Sequence, residues 1–295
     1  MDLGFKMAGH EIVWANDNYH DAVETYRRNI GHHIVLKDIT EIPSKDIPEG
    51  DIVIGGFPCQ GFSVANVGRN PSDSRNKLYL EMLRVIKDKK PRYFLAENVK
   101  GILSLGGGGI IRLITSDFEN AGYDVKVCLL NAADYGVPQK RERVFIMGTK
   151  RGTKRILFPP PPTHAAPELA PILGLEQWVT IGEAIEALPD PEQASGVPNH
   201  SYSKYKLRFN NYLGHRWVDA QKPAPTITAR GDERGGVVVI HHPSNQRRMT
   251  ARELASAQSF PITYGFHGSQ TSAYRQIANA VPPILSFRIA KQFAA

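Results

Sequence analysis

Residues 51–63 read DIVIGGFPCQGFS: the apolar run Ile52-Val53-Ile54 ends in Gly55-Gly56, and Pro58-Cys59-Gln60 follows. β-Branched residues bounded by glycine and proline predict a buried strand, Asp51–Gly55, with one thiol just beyond its carboxyl end. That end of a strand is where open α/β sheets bind ligands. A second apolar run, Arg92–Ala96, ends in Glu97-Asn98, and Gln139-Lys140-Arg141-Glu142-Arg143 stands just before a third, Val144–Gly148. A thiol, a carboxylate and two guanidiniums are thereby expected to converge.

Outward from this stretch the chain alternates. Strand-like Glu11–Ala15, helix-like Tyr19–Asn29 and strand-like His33–Leu36 precede it. Leu78–Lys87 and Ile110–Asn120 carry helical apolar spacing, and Tyr123–Leu130 reads as a strand. Alternation with continuously apolar strands predicts an α/β fold, a parallel sheet covered by helices. Four glycines at Gly106–Gly109 lack a following Lys-Ser/Thr and read as a loop, not a phosphate cradle. Phe158-Pro159-Pro160-Pro161-Pro162 then sets a boundary, because proline removes backbone donors and favours a stiff extended connector. The expected organisation is a first domain over residues 1–158, a second, smaller, irregular domain over 163–239, and a segment 246–295 returning to the first. In that last segment Thr250-Ala251-Arg252-Glu253 has the form of a capping box, and Pro282-Pro283 stands at the start of the helix Ile284–Phe293.

A chain of 295 residues can bury a full core without covalent staples. Its two cysteines, Cys59 and Cys128, have no paired spacing and belong to no metal motif, which fits a reducing cytoplasm. Cys128 reads as a small buried hydrophobe. The first residues, MDLGFKMAGHE, lack a signal-peptide pattern, so a soluble, unexported protein is expected. Formal net charge is +7, and the stretch Asn199–Arg252 alone holds ten basic against three acidic residues. A basic face of that kind suits a polyanion such as DNA; a merely solvated surface is the alternative.

The ordered set Pro58-Cys59, Glu97-Asn98-Val99 and Gln139-x-Arg141-x-Arg143 resembles the signatures of the DNA cytosine-5 methyltransferase family, restriction-modification type. The resemblance runs on through Arg248–Glu253, Gln258–Pro261 and Tyr274–Val281. It implies a Rossmann-like sheet, S-adenosylmethionine as methyl donor with S-adenosylhomocysteine as product, no metal, and double-stranded DNA as partner to a monomer. It also implies roles. Cys59 would attack carbon 6 of a cytosine flipped out of the duplex, Glu97 would hold the ring at N3, Arg143 would donate to O2, and Arg141 would fix neighbouring groups. Asp17, Asp38, Ile39, Pro58, Leu78 and Asn279 would line the cofactor site. Gln60 and Ser63, in the loop segment Gly61–Arg75 or beside it, and Thr226 and Arg230 would meet DNA; for Thr226 and Arg230 a structural turn is the alternative. Ser259 and Ala278 stand where the family usually has glycine, which casts doubt on local backbone geometry if positive φ is required.

The largest departure is at the start. The family places a strand and a Phe-x-Gly-x-Gly turn before the Leu-Gly-Phe that here is Leu3-Gly4-Phe5. A misassigned or trimmed start, a decayed gene, or a complementing polypeptide would each account for this, and the first is preferred because the downstream signatures are intact. An exposed sheet edge and a missing pocket wall are expected in each case. Two rival functions remain at this stage: a catalytically impaired DNA-binding remnant or partner subunit, and an RNA cytosine-5 methyltransferase.

Overall fold

The structure, a computed structural model, describes residues 1–58, 77–193, 196–212, 214–229 and 237–293. In chain order the first part comprises α1 (Asp2–Met7), β1 (Ala15–Asp17), α2 (His20–Asn29), β2 (Ile34–Leu36), β3 (Ile52–Gly56), α3 (Lys77–Lys89), β4 (Tyr93–Val99), α4 (Gly109–Asn120), β5 (Tyr123–Asn131) and β6 (Glu142–Lys150). Smaller elements follow: β7 (His164–Ala165), α5 (Ala170–Leu173), β8 (Glu176–Gln177), α6 (Ile181–Ile185), β9 (Thr228–Ala229) and β10 (Val237–Val238). The chain closes with α7 (Ala251–Ala257), α8 (Gln270–Asn279) and α9 (Pro283–Ala290).

The main sheet has the order β3-β4-β6-β5. β3 and β4 are parallel, with Gly56 opposite Glu97, but β6 runs antiparallel to both β4 and β5. The expectation of an all-parallel sheet is corrected here. Apolar periodicity carries no strand direction, whereas connection length does: the link between β5 and β6 holds only residues 132–141, too short for the helical crossover that a parallel pair requires. At the β4–β6 contact a Cβ on Gly148 would come within 1.9 Å of the Phe94 ring. Gly148→Ala is therefore expected to lower stability by about 1–3 kcal/mol through overpacking, readable as a shifted urea midpoint.

A second sheet holds only β1 and β2, paired in parallel through Ala15–Asp17 and Ile34–Leu36. Strand structure begins at Ala15, four residues later than the sequence reading placed it. The two sheets are not hydrogen-bonded to one another. β1 and β3 instead line the same cavity, about 1150 Å³, together with residues of α1, Glu11–Trp14 and the end of α8.

Helices cover the sheet as their apolar stripes demand. Ile86, Ile114 and Phe118 pack with Phe94 and Ile146 on one face, and Phe5, Leu285 and Ile289 pack with Leu95, Phe145 and Met147 on the other. α9 lies against α1 so closely that a Cβ on Gly4 would meet backbone atoms of Pro283 and Phe287 at 2.5–2.6 Å. The proline-rich connector is not free, since Phe158 is buried in the same core and Tyr135 donates to the Pro160 carbonyl at 3.0 Å. Cys128 packs at the edge of that core, and burial pushes its thiol pKa up. Gly106, Gly107 and Gly108 all adopt positive φ in a tight turn leading into α4.

The 163–239 region shares its apolar core with the C-terminal helices: Ile181, Val218, Ile227 and Ile240 pack with Met249, Leu254, Tyr274 and Ile277. Thr250 caps α7 in a complete capping box with Glu253. Among the described residues no helix is long and apolar enough to cross a membrane.

Candidate active site

The carboxyl end of β3 and β4 presents the first group. Glu97 is nearly buried, and its Oε1 accepts from Arg143 Nε at 2.9 Å, side chains 15% and 11% exposed. Burial dominates and raises the Glu97 pKa, while Arg143, Arg141 and the nearby Met1 amino group pull it back. The carboxyl is thus biased toward its neutral form more than a surface glutamate is. Gly56 leaves the carboxylate room: a Cβ there would lie 3.2 Å from Glu97 Oε2. Arg143 also donates to the Glu142 carbonyl at 2.8 Å.

Asn98, which the sequence reading noted without giving it a task, is buried and donates to the Phe57 carbonyl at 2.8 Å. It pins the end of β3 two residues before Cys59 in sequence. Cys59, Gln60, Ser63 and Arg230 lie outside the described residues.

Arg141 does not bond to the Glu97 carboxylate. Its side chain, 1% exposed, donates to the carbonyls of Ile227 at 2.8 Å, Ala278 at 2.6 Å and Ala280 at 3.0 Å. Burial pushes its pKa down to about 9, which still leaves it charged at neutral pH. Gln139 joins the same tie: its Oε1 accepts from Ile227 N–H at 3.3 Å and its Nε2 donates to Gln258 Oε1 at 3.1 Å, while Gln258 donates to Ala280 O at 2.8 Å. The segment before β6 thereby anchors both β9 and the end of α8. Thr226 spends its hydroxyl proton on the Lys140 carbonyl at 2.6 Å. A phosphate oxygen offers no proton in return, so the described geometry favours the structural alternative for Thr226.

The cavity between β1 and β3 gathers the residues expected around the cofactor. Asp17, Asp38, Ile39, Leu78 and Asn279 all line it, with Gly56 and Phe57; Pro58 is exposed just beyond the lining. Asp17 ends β1, accepts Tyr19 N–H at 2.8 Å, and has its pKa raised by desolvation. Asp38 caps the turn at Ile39–Glu41, accepting from Thr40 N–H at 2.9 Å, a bond that lowers its pKa. Ala278 sits within α8 in ordinary helical conformation, so its replacement of glycine has no backbone consequence. Ser259 does adopt φ 65°, and its Oγ accepts Ile284 N–H at 3.2 Å in partial compensation.

The expected basic face is smaller than the sequence implies. Arg248 is buried and donates to the carbonyls of Lys206, Gly214 and Val239. Arg252, fully buried, donates to Pro198, Pro261 and Tyr264 carbonyls, and Arg247 is paired with Glu253 at 2.6 Å. Arg252 lies within the capping box of the buried helix α7 and Arg248 two residues before it, a local setting that net charge does not register.

Comparison with known proteins settles the family. The family model for C-5 cytosine-specific DNA methylase matches residues 1–295. The chain belongs to the C-5 cytosine-specific DNA methylases. It is 39% identical over 310 residues to the Type II methyltransferase M.NgoFVII of Neisseria gonorrhoeae, covering 96% of this chain and 80% of that protein. It is 36% identical to M.FnuDI of Fusobacterium nucleatum, covering 99% and 90%. Among solved structures, a candidate DNA modification methyltransferase encoded within an E. coli prophage superposes with TM-score 0.75 at 25% identity, covering 99% of this chain and 94% of that one. The Dnmt2 methyltransferase of S. pombe, at TM-score 0.68 and 20% identity over 99% and 94%, shares the fold. This C-5 cytosine methylase is accordingly an enzyme of DNA methylation, restriction-modification type, on a Rossmann-like α/β sheet.

Proposed function

We propose that this methylase acts on a flipped-out cytosine in a short duplex DNA site, with Cys59 as nucleophile and S-adenosylmethionine as donor. The observation that carries the reading is the Glu97–Arg143 ion pair at the carboxyl end of β3 and β4, directly beside the Phe57-Pro58 segment that Asn98 fixes.

The cavity between β1 and β3 fits the donor in its chemistry. Asp17 and Asp38 offer carboxylates at the strand ends for hydroxyl and amine groups, Ile39 and Leu78 offer apolar walls, and Asn279 completes the lining. Bound there, S-adenosylmethionine supplies an electrophilic methyl group and leaves as S-adenosylhomocysteine.

The chain's own groups prepare the base. Carbon 5 of cytosine is a weak nucleophile, and addition of the Cys59 thiolate at carbon 6 makes it an enamine-like one. Glu97, biased toward its neutral form, holds a proton at N3 and relieves the negative charge that thiolate addition places on the ring. Arg143, oriented by Glu97, donates toward O2 and favours the thiolate. Arg141 acts as a positioning residue through the carbonyls it holds. Loss of the carbon 5 proton and elimination of the thiol restore the ring. Stacked bases block both ring faces, so the base must leave the duplex. Gln60, Ser63 and Arg230 are the residues we assign to DNA contact, with residues 163–239 as the recognition region of a monomer.

The test uses duplex DNA carrying 5-fluorocytosine, which has no carbon 5 proton to lose. With S-adenosylmethionine present, a denaturation-resistant protein–DNA band is expected, absent in Cys59→Ser. A band of equal strength in the Cys59→Ser protein would overturn the assignment of the nucleophile.

A further inference from the structure

We infer that His20, Asp21 and His267 form a site for one divalent transition-metal ion of the zinc class, which clamps the start of α2 to the turn that precedes α8. The inference stands apart from the methyl-transfer reading, and the ion takes no part in that chemistry.

His20 and Asp21 open α2, and His267 comes from the turn between α7 and α8. One ligand atom from each lies within 4.8 Å of the other two, and among the described residues no other such group is found. The edges of a tetrahedral shell with metal bonds of about 2.1 Å are about 3.4 Å long. The side chains must therefore close by up to about 1.4 Å, and the His20 side chain, 64% exposed, has room to swing in. The other two ligands are held. The His267 N–H donates to Thr25 Oγ1 at 2.8 Å and its carbonyl accepts from Gln276 Nε2 at 2.9 Å, which pins the turn to both helices. Asn29 pins it again, donating to the Gly265 carbonyl at 2.9 Å and accepting the Gly265 N–H at 3.2 Å. Gly268, at φ 97°, passes so near that a Cβ there would collide with Asp21 Oδ2. Ser272 donates to that same oxygen at 2.6 Å, which orients the carboxylate and leaves Oδ1 beside His20 Nδ1 at 3.5 Å.

The donor set selects the ion. Two imidazoles and one carboxylate suit zinc, cobalt(II) or nickel(II), whereas magnesium and calcium take oxygen ligands. The Ser272 hydrogen bond, ahead of smaller pulls from His20, Tyr19 and His267, lowers the Asp21 pKa, so that ligand is ionised as a metal requires. Among the described residues no hydrogen bond engages the His267 ring, which leaves a nitrogen lone pair available. Glu24, one turn along α2, adds negative charge: Arg27 holds it at 2.7 Å, and both histidines lie near enough to lower its pKa further. The dipole at the N-terminus of α2 opposes a cation, but that costs less than about tenfold in affinity, and Asp21 in the first turn offsets it. The ion also bears on the cavity between β1 and β3. Tyr19, next to His20, and Arg275 and Gln276 of α8 line that cavity, so the clamp would fix two of its walls relative to one another.

The full chain, without a polyhistidine tag, is titrated with zinc sulfate by calorimetry. Binding with a dissociation constant of about 10 μM or tighter is expected. It should weaken at least about tenfold in His20→Asn and in His267→Asn, and stay unchanged in His32→Asn, at an exposed histidine outside the group. Melting temperatures of the variants in chelator should match the parent's, so that lost affinity is not lost folding; His20→Asn, at an exposed position, carries the test if His267→Asn does not fold. Cobalt(II) bound in place of zinc should show no thiolate charge-transfer band, which keeps Cys59 and Cys128 out of the shell. Zinc should also slow amide hydrogen exchange about tenfold or more at residues 20–24 and 265–269 together. No saturable zinc binding, equal affinity in both histidine variants, a thiolate band, equal competition by magnesium, or slowing on one side alone would each overturn the clamp.

Discussion

Glu97→Gln is expected to lower the methyl-transfer turnover number by roughly 10²–10⁴-fold, the usual worth of a positioned general acid, while the dissociation constant for duplex DNA stays within about threefold. Glutamine keeps the shape and an N–H donor but cannot release and recover a proton at N3. The substitution keeps an oxygen that can accept from Arg143 Nε but removes any carboxylate charge beside that nearly buried guanidinium, so stability should fall by about 1–2 kcal/mol; single-turnover rates are best taken well below the unfolding transition. Equal single-turnover rates for Glu97→Gln and the parent would remove Glu97 from the chemistry. The pH dependence has a definite sign. Because burial raises the folded-state pKa of Glu97 above its ordinary value, the neutral form is favoured by folding. Its contribution to stability is full below the ordinary glutamate pKa and is lost as pH rises through the raised one. The catalytic contribution falls in the same direction, and the alkaline fall assigned to Glu97 should vanish from the pH–rate profile of Glu97→Gln.

The largest stability effect is expected at Arg141. Arg141→Met removes both donors from the Ile227 and Ala278 carbonyls, while Gln258 still satisfies Ala280. At about 1–3 kcal/mol for each stranded buried acceptor, unfolding free energy should fall by about 2–5 kcal/mol. Arg141→Lys keeps the charge but not the planar fork that reaches three oxygens, so it should recover less than half of that loss. Urea midpoints with unchanged m-values would measure both. If lysine restored full stability, the carbonyl tie would not be what the side chain contributes. Folded Arg141→Lys protein should keep far more turnover than Glu97→Gln, which separates positioning from chemistry.

How much of this was legible in the sequence depends on which physics each feature uses. β3, β4, α3 and α4 were readable because burial imposes period on the chain, and Glu97 because it closes a buried strand. The reversal of β6 was not legible from periodicity, although the short link between β5 and β6 and the expected site both required it. In an all-parallel sheet a segment preceding a strand lies at the opposite end from segments following strands, so Gln139–Arg143 could not have met Glu97. Register across the antiparallel pair, Val99 opposite Arg143, is what brings the guanidinium to the carboxylate. Side-chain destinations were legible least. Arg141 and Thr226 read as a catalytic and a DNA-contacting residue, yet Arg141 turns its two terminal nitrogens, and Thr226 its hydroxyl, to backbone carbonyls. A guanidinium that solvates peptide dipoles is indistinguishable in sequence from one that awaits a phosphate. The gap between β1 and β3 was anticipated as exposed edges and a missing pocket wall, but its dimensions need two sheets in space.

The buried arginines Arg248 and Arg252 bear on how this enzyme would respond to salt. Counterion release on DNA binding counts only cations that face phosphates. Composition places ten basic residues between Asn199 and Arg252, but these two guanidiniums are solvated by their own protein's peptide groups and displace no condensed ions. A plot of log affinity against log salt should therefore be shallower than the sequence charge suggests. Raising ionic strength would release the duplex long before it disturbed the ties that hold the 163–239 region to the C-terminal helices, because those ties are sheltered from the electrolyte.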